Sequence, residues 1–360
     1  MTNAATKLSV IQDIRPTLGC DPEFFFRNNG SVIGSEKVFN KEGLPAGNGS
    51  RFIIDGVQAE LNPRPNTCRE VLASEIRMCF LSLKQELDSK HKDITCDFSR
   101  SIEISKEKLD ELSEDSKKFG CAPSTSAYKS KAKLDIRNVN ADKYRIRAAG
   151  GHIHFGNEHG YLFMKHVEKT VHMLDIICAN TCVLIDRDPA NIERRKFYGR
   201  AGEFRLPKHG LEYRTLSNFW LTHGALMSFA FGMARNAIAI MSMKNAEQYY
   251  DAFNDLVKIS NVSKAINNND SDLAMKNFKA IEPLLLEINP ELPGFPIHKR
   301  NIDSFHHFID RIDTDGLEYW FKEDPFAYWT GPQGAYGYSS FIGSTIAPDL
   351  ANKTKKAKAA

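Results

Sequence analysis

The sequence predicts an α+β fold, with a curved, mostly antiparallel sheet backed by helices. Short segments rich in aromatic and β-branched residues, bounded by Gly, Pro, Asn or Asp, fill the first 160 residues and indicate strands. Longer segments with apolar residues at helical spacing follow and indicate helices. Neither an internal repeat nor a Pro/Ser-rich linker divides the chain. We therefore expect one domain over residues 1–345 and a basic, flexible tail over 346–360.

The predicted strands lie before the predicted long helices, apart from the one over 71–87. They cover Leu18–Phe26, two halves of Arg51–Leu61, Ile94–Ile104, Lys133–Val139 and Arg145–Phe155. Asp55-Gly56 separates the two halves of the second segment. An Asp-Gly pair is typical of tight hairpin turns, so we expect a hairpin or a bulge there.

The predicted helices follow from apolar periodicity. Apolar residues recur at helical spacing from Val71 to Leu87, and Thr67 to Glu70 form a capping-box pattern ahead of them. We expect this first helix to cover a sheet face. Further helices are predicted over Leu162–Ile185, Asn218–Met241, Ala246–Ile259 and Asp272–Ile288, with a shorter one at Asp303–Ile312.

Bulk properties exclude several classes of protein. The formal net charge is only +3, which gives no reason to expect a nucleic acid partner. The longest apolar run, Phe219–Met241, is interrupted by His223, Arg235 and Asn236, so it predicts a buried helix and not a membrane span. The seven cysteines lack CxxC spacing, and no signal peptide pattern opens the chain. We therefore expect a cytoplasmic protein that binds no membrane.

Charged and imidazole side chains recur two residues apart in several short motifs. The motifs are Asp21-Pro22-Glu23, Glu60-Leu61-Asn62, His152-Ile153-His154, Glu203-Phe204-Arg205 after Arg200, and Glu212-Tyr213-Arg214. On a strand, residues two apart point to the same face, so each motif offers its functional groups to a common surface. Carboxylates, imidazoles and arginines on one face suit a divalent metal and phosphates. The pattern therefore predicts an ATP-handling site.

The acidic motifs also have structural explanations. Asp21 and Glu23 can form an acidic turn ahead of a strand, and Glu60 can pair with Arg64 or Arg69. An ionised Glu23 beside three phenylalanines is costly unless it is paired or bound to a metal, which favours the metal interpretation. Oxygen ligands of this kind suit Mg²⁺.

The histidine and arginine motifs leave alternatives open as well. His152 and His154 can be structural histidines or zinc ligands, although further histidine or cysteine ligands at diagnostic spacing are missing. The arginines and glutamates can form ordinary cross-strand pairs. Two rival functions follow, a zinc-dependent hydrolase and a non-catalytic structural protein that keeps the fold.

Two further segments carry no assigned site. The glycine- and aromatic-rich segment Tyr328–Tyr338 can serve as a lid, a substrate loop or simple packing. Ser124, Thr125 and Ser126 can line a substrate pocket.

The order of the motifs resembles that of the phage-type COOH–NH2 ligases, amidoligases of type 2 in the glutamine synthetase-like superfamily. The resemblance runs from about Thr17 to Leu221. It implies a mostly antiparallel sheet curved around ATP and divalent ions, either Mg²⁺ or Mn²⁺. It also implies an ATP-dependent ligase that forms an amide bond through an acyl phosphate. The substrates would be a carboxylate and an amine, on small molecules or peptides, and the location would be the host cytoplasm if a phage encodes the chain. An oligomer is compatible with the sequence.

The resemblance also implies roles for individual residues. The implied metal ligands are Asp21, Glu23, Glu60, His152 and Glu212. The implied phosphate contacts are His154, Arg200 and Arg205, and the implied catalytic residues are Arg200, Arg205 and Arg214. Asp21 departs from the glutamate that is usual in glutamine synthetase itself.

Overall fold

The computed structural model describes residues 16–118, 124–128, 144–158, 160–288, 306, 309–310, 314 and 324–331. The strand predicted at Lys133–Val139 and the tail predicted at 346–360 lie outside these residues. Of the helix predicted at Asp303–Ile312, residues 306, 309 and 310 are described, and they are helical.

The described strands are short and pair only in the antiparallel sense. They are β1 (Leu18–Cys20), β2 (Glu23–Asn28), β3 (Ser31–Ile33), β4 (Leu44–Pro45), β5 (Arg51–Asp55), β6 (Gln58–Asn62), β7 (Ile94–Asp97), β8 (Ser101–Glu103), β9 (Thr125–Ser126), β10 (Ile146–Ala148), β11 (Ile153–Gly156), β12 (Glu203–Arg205) and β13 (Gly210–Tyr213).

These strands form two main sheets. The first has the order β1-β11-β13-β12-β9, and the second has the order β3-β2-β6-β5-β4 with β7 also paired to β2. Strands β10 and β8 form a separate two-stranded ribbon. The sheets curl as a half-barrel with helices around it, which confirms the predicted α+β class and antiparallel sheet.

The single strand predicted over Leu18–Phe26 is wrong, because the chain leaves one sheet and enters the other at Asp21-Pro22. Proline has no N–H to donate, so it cannot continue a ladder on its donating side. The Pro22 carbonyl instead accepts from the Leu61 N–H, and the Glu23 N–H donates to the Gly150 carbonyl. Asp21 and Glu23 therefore lie where the two sheets join.

The hairpin predicted around Asp55-Gly56 is confirmed. Strands β5 and β6 pair with Asp55 opposite Gln58, and Gly56 adopts a φ of 60° in the turn. This register also places Ile53 opposite Glu60, and β2 adds Glu23 on the other side of Glu60. Because cross-strand partners and residues two apart share a face, Glu23, Asp55 and Glu60 lie on the same face of this sheet.

The helices pack around these sheets. They are α1 (Arg69–Lys90), α2 (Lys106–Glu111), α3 (Glu114–Lys117), α4 (Val167–Leu174), α5 (Asn180–Val183), α6 (Ala190–Arg194), α7 (Gly224–Met241), α8 (Ala246–Leu256), α9 (Ile259–Asn267), α10 (Ser271–Glu287) and α11 (Pro325–Thr330). A π-helical turn over Asp175–Ala179 joins α4 to α5. Short 3₁₀ helices cover Ser35–Lys37, Leu162–Met164 and Asn218–Thr222.

Helix α1 begins differently from the prediction. Its N-cap is Cys68, which makes no side-chain cap, so the predicted capping box is wrong. The Asn66 side chain accepts from the Cys68 N–H instead, at 2.9 Å. The helix covers the sheet as expected, since Phe80 stands at its centre on the buried face.

Helix α7 is the described helix that is long and apolar enough to cross a bilayer. Its mean hydropathy is 1.3, and 94% of its apolar window is buried within the protein. The Arg235 guanidinium donates to the Thr67 carbonyl. The predicted buried helix is confirmed.

Aromatic rings fill the space between the second sheet and α1. The Phe24 ring lies 5.3 to 6.0 Å from the rings of four other phenylalanines, which are Phe26, Phe52, Phe80 and Phe98. Side chains alternate along a strand, so burying Phe24 in this core sends Glu23 to the opposite face. The core thus determines which way the site carboxylates point.

The start of the glycine- and aromatic-rich segment belongs to the core. The Trp329 indole stacks on Phe80 and donates to the Leu221 carbonyl at 2.6 Å. For Tyr328 and Trp329, packing is therefore the confirmed interpretation. Residues 332–338 lie outside the part of the chain that the structure describes.

Truncating Phe24 tests this core. Phe24 is fully buried, so Phe24→Ala should lower the free energy of unfolding by about 3–5 kcal/mol through lost transfer and a residual cavity. Urea denaturation measures the change. Leu256→Ala is the control, because Leu256 is 47% exposed and should change stability little. Equal losses in the two variants would contradict the assignment of Phe24 to the core.

Candidate functional site

Two groups of metal-ligating side chains lie near the junction of the sheets. The first is Asp21, His152 and Glu212, and the second is Glu23, Asp55 and Glu60. Within each group, one ligand atom from every residue lies within 4.8 Å of the others. The two predicted acidic residues Asp21 and Glu23 thus belong to different groups.

The first group is assembled by the five-stranded sheet. His154 pairs with Gly19 on one side and Glu212 on the other, and His152 precedes the same strand. The Nδ1 atom of His152 lies 3.0 Å from Asp21 Oδ1 and 3.7 Å from Glu212 Oε1. Neither contact has hydrogen-bond geometry, so Asp21 Oδ1 and both ring nitrogens of His152 are buried without hydrogen-bond partners. Buried polar atoms of this kind are costly unless a ligand satisfies them.

The second group is assembled by β2, β5 and β6. Glu23 Oε2 accepts from the Gly150 N–H at 2.8 Å and from the Tyr198 hydroxyl at 2.9 Å. Its other oxygen, Oε1, is buried without a hydrogen-bond partner. One carboxylate oxygen is therefore fixed by the protein while the second is left to a ligand.

The salt-bridge alternative for Glu60 is wrong. Arg64 pairs with Glu75 at 2.8 Å, and the Arg69 guanidinium donates to the Ser228 carbonyl. Glu60 itself accepts from the Asn62 side chain at 2.8 Å. No cationic side chain among the described residues forms an ion pair with Glu60.

The carboxylates of the second group disfavour each other's ionisation. Burial and the charges of Glu23 and Asp21 raise the pKa of Asp55 to about 7. Burial and the neighbouring carboxylates raise the pKa of Glu60 well above its usual value. A divalent cation would relieve this repulsion, because it would interact favourably with each ionised carboxylate.

The pKa values of Asp21 and Glu212 are shifted in the opposite direction, below their ordinary values. Burial alone would raise the pKa of Asp21, but His154 and His152 outweigh it and hold the pKa well below its usual value. For Glu212, burial is likewise outweighed by His152 and Arg205, and its pKa is lowered. Both carboxylates are therefore ionised at neutral pH.

The donor set fits a hard divalent cation. The two groups together supply carboxylate oxygens from five residues and imidazole nitrogen from His152, with no thiolate. Oxygen-rich sets of this kind suit Mg²⁺ and Mn²⁺, whereas structural or catalytic zinc sites draw mostly on histidine and cysteine. The buried atoms that lack partners support the same interpretation.

Two arginines converge on Glu212. Arg205 lies directly opposite Glu212 across the strands, and its Nε donates to Glu212 Oε2 at 2.7 Å. Arg214 Nη1 lies 3.0 Å from Glu212 Oε1. The cross-strand pair that was one alternative for these motifs is therefore present. Arg214 is fully buried, whereas the Arg205 side chain is 31% exposed.

Arg200 is not brought to this cluster. Its guanidinium donates to the backbone carbonyls of Arg195 at 2.8 Å and Lys196 at 3.4 Å. Its role as a phosphate contact stays a prediction.

His154 lies at the edge of the first group. Its Nε2 is 3.2 Å from Asp21 Oδ2, and its Nδ1 is 2.9 Å from His209 Nε2. Burial lowers the pKa of His154, but the charge of Asp21, its hydrogen bond and the charge of Glu212 together outweigh burial, so the pKa is raised. This position separates His154 from His152, although the division into a phosphate contact and a metal ligand stays a prediction.

Two glycines allow the close approach that their motif predicts. A Cβ atom at Gly150 would lie 2.5 Å from His152 Nε2, and one at Gly151 would lie 2.2 Å from the Ser217 carbonyl oxygen. Any larger residue would displace the imidazole or the backbone. The glycines are therefore required by the packing of the site.

Sequence reasoning missed four residues of the site. These are Asp55 in the second group, Tyr198 on Glu23, His209 on His154, and the fully buried Arg194 beneath the Tyr198 ring. The position of Asp55 could have been predicted from the sequence. A two-residue hairpin turn after Asp55 fixes the strand register and places Asp55 on the same face as Glu60. The other three had none, since their positions depend on tertiary packing.

Comparison with known proteins identifies the family. Residues 129–316, just over half of the chain, match the family described as phage phiEco32-like COOH–NH2 ligase, type 2. The chain belongs to this family. The match begins later than Thr17, where the motif resemblance starts, and extends beyond Leu221. Asp21, Glu23, Asp55 and Glu60 thus lie outside the matched residues, and strand pairing brings them to the site.

A structural comparison agrees on the fold. The chain resembles the crystal structure of a bifunctional glutathione synthetase from Pasteurella multocida, with a TM-score of 0.50 and 10% sequence identity. The likeness covers 93% of this chain and 53% of that one, so this chain spans about half the length of the glutathione synthetase. No curated protein sequence matches the chain.

Removing one carboxylate from the second group tests the metal assignment. We expect Mn²⁺ to raise the melting temperature of Glu60→Gln less than that of the wild-type protein, because the variant loses a ligand of the second group and keeps the first group. Without metal, and at alkaline pH where Glu60 has lost its proton, the same variant should melt roughly 1–3 °C higher than wild type, since a like charge is removed. Differential scanning calorimetry with and without chelator measures both effects.

The matched control is Asp88→Asn, which removes an exposed carboxylate paired with Lys84. It should keep the full response to Mn²⁺. A full response in Glu60→Gln would contradict the site.

Asp55 makes the stability of the metal-free protein depend on pH. Its pKa is about 7 when folded against an ordinary value of 3.8, so the unfolded chain loses its proton first. Between these values, rising pH therefore favours unfolding, and the stability present at low pH is lost by about pH 7. In Asp55→Asn this loss should be smaller. Urea denaturation in chelator from pH 4 to pH 8 measures it, and parallel profiles would contradict the assignment.

Proposed function

We propose that the ligase is ATP-dependent and activates its carboxylate substrate as an acyl phosphate, which an amine then converts to an amide. The observation that carries the proposal is the contact of Arg205 and Arg214 with Glu212, a member of the first metal group. A site for phosphoryl transfer needs cations on the phosphates and donors for the charge that moves. The first metal group can hold a cation, and Arg205 and Arg214 supply the donors on the same sheet face.

The metal would be Mg²⁺ or Mn²⁺, held by Asp21, His152 and Glu212 and by Glu23, Asp55 and Glu60. When bound, such ions supply positive charge to the phosphates of ATP. Gly150 and Tyr198 hold Glu23 in place through hydrogen bonds to Oε2, so the orientation of this ligand is set before any ion arrives.

The arginines and His154 supply the remaining positive charge. Arg205 is partly exposed and presents a planar set of donors, which suits phosphate oxygens. Arg214 is buried and contacts Glu212, so it would keep Glu212 in position while Arg205 would contact the phosphates of a bound nucleotide. His154 would contact phosphate, as the resemblance implies, and its raised pKa favours the cationic form of the ring. Arg200 would join them only if its guanidinium left the backbone carbonyls that it now contacts.

The substrates would be a carboxylate and an amine of small molecules or peptides, and the setting would be the cytoplasm, where ATP and Mg²⁺ are present. The catalytic unit would span residues 1–345, with residues 346–360 as a flexible tail. Family membership and the oxygen-rich donor set both disfavour the alternative of a zinc hydrolase.

Release of ADP tests the proposal. The purified full-length protein, with ATP, Mg²⁺ and a panel of carboxylates and amines, should release ADP and phosphate only when both substrates are present. Arg205→Lys should lower kcat by about 10²-fold, since it removes donors from the developing charge. Glu212→Ala should abolish the metal-dependent reaction.

The control is Glu247→Ala, which removes an exposed carboxylate paired with Lys169 and should leave the reaction unchanged. Wild-type ADP release by Glu212→Ala would overturn the proposal. Absence of ATP binding in calorimetry would favour the remaining alternative, a non-catalytic protein that keeps the fold.

A further inference from the structure

His209 contacts the ring of His154 from the hairpin loop between β12 and β13. The loop covers residues 206–209, and Nε2 of His209 lies 2.9 Å from Nδ1 of His154. The two rings are stacked, with centroids 5.2 Å apart and an interplanar angle of 27°. One nitrogen of the His154 ring is therefore engaged by a residue that belongs to neither metal group.

The other nitrogen of the His154 ring faces the site. This Nε2 atom is buried and lies 3.2 Å from Asp21 Oδ2, but the contact is poorly aligned and leaves Nε2 unsatisfied. A buried polar atom in this state is costly unless a ligand satisfies it. With Nδ1 engaged by His209, Nε2 is the atom of the ring that is left for a ligand.

The neighbouring strands do not hold the His154 ring in place. Its cross-strand partner on β1 is Gly19, which has no side chain, and its partner on β13 is Glu212. The Glu212 carboxylate is itself held by two arginines. The hydrogen bond with His209 therefore supplies an orientation that the strand pairing does not.

The backbone of the hairpin fixes the position of His209. The Gly210 N–H donates to the Pro207 carbonyl at 3.0 Å, and the His209 carbonyl accepts from the Asn157 N–H at 2.7 Å. Gly210 adopts a φ of 149°, and a Cβ atom there would lie 2.1 Å from the Phe155 carbonyl oxygen. The turn therefore requires glycine at position 210, and it brings residue 209 to the end of β11.

The same hairpin carries Arg205 at the end of β12. Arg205 and His154 are implied phosphate contacts, yet they lie on strands that β13 separates in the sheet. The hairpin loop spans this separation, because it begins after Arg205 and ends at His209, which contacts His154. One short loop thus connects two side chains that strand pairing alone keeps apart.

We infer that His209 is a positioning residue for nucleotide binding, which holds His154 with Nε2 directed at the phosphates of ATP. The inference rests on the proposed function, since that function assigns a phosphate contact to His154. His209 acts through the ring of His154 and does not touch the nucleotide. For histidines that bind metals, loss of the partner on the second ring nitrogen typically costs about 10- to 100-fold in affinity. We expect a loss near the lower end of that range here.

His209→Ala and His209→Gln test this role. The alanine variant removes the hydrogen bond, whereas the glutamine amide reaches about as far as Nε2 and can donate or accept. Because His209 is exposed, neither change should unfold the protein. The full-length protein is titrated by calorimetry with a non-hydrolysable ATP analogue and Mg²⁺. Nitrogen-15 NMR of the histidine rings, with the His154 signals assigned by their loss in His154→Ala, reports the ring without nucleotide.

We expect His209→Ala to bind the analogue about 10-fold more weakly than wild type and to shift the ring nitrogen signals of His154. His209→Gln should restore most of the affinity. The matched control is His306→Ala, which removes an exposed histidine paired with Glu282 and should change neither measurement.

A double-mutant cycle shows whether His209 acts through His154. In the His154→Ala background, His209→Ala should cost no further affinity. Wild-type affinity in His209→Ala, no recovery in His209→Gln, or an equal loss in the His154→Ala background would overturn the role of His209 and leave the ligase proposal standing. A wild-type protein that does not bind the analogue would overturn the proposed use of ATP, and the role of His209 with it.

Discussion

The break at Asp21-Pro22 is the constraint on which the rest of the site depends. It lets one short segment serve two sheets, because Leu18–Cys20 pairs with the histidine strand while Glu23–Asn28 pairs with Gln58–Asn62. Asp21 is thereby delivered to His152 and Glu212, and Glu23 is delivered to Asp55 and Glu60. A continuous strand would have placed both carboxylates in one sheet, and only one of the two metal groups would have formed.

The aromatic core and the helices hold the site strands in place from the sheet face opposite the site. Phe24 anchors β2 in the phenylalanine cluster, so the neighbouring Glu23 is held on the other face. In the five-stranded sheet, Tyr213 and Thr215 alternate with Glu212 and Arg214, and both donate to the buried Asp175 of the π-helical turn, at 2.5 and 3.4 Å. Burial raises the pKa of Asp175 to about 7 despite these donors. Burying Asp175 is unfavourable by itself, but its hydrogen bonds to Tyr213 and Thr215 fix the position of the segment that carries Glu212 and Arg214.

Local sequence signals foretold the parts of the site that local geometry determines. The period of two predicted that Glu212 and Arg214 share a face, and an Asp-Gly turn predicted the hairpin that carries Glu60. The same period failed at Asp21 and Glu23, because a proline redirected the chain between them. Arg200 lies outside the strand, which begins only at Glu203, so strand periodicity does not determine where its side chain points. Contacts such as Tyr198 on Glu23 join residues 175 positions apart, and no local pattern encodes them.

Glu212 lies between the histidine of the first metal group and the two arginines. Its Oε1 lies 3.7 Å from the His152 ring and 3.0 Å from Arg214, while Arg205 contacts both of its oxygens. Under the proposed function, a cation held by Glu212 would compete with Arg205 for the same oxygens. Arg214 is fully buried and cannot move away, but Arg205 is partly exposed and can turn toward an incoming phosphate. Metal binding at Glu212 and phosphate binding at Arg205 would then favour each other, because each removes the competitor of the other.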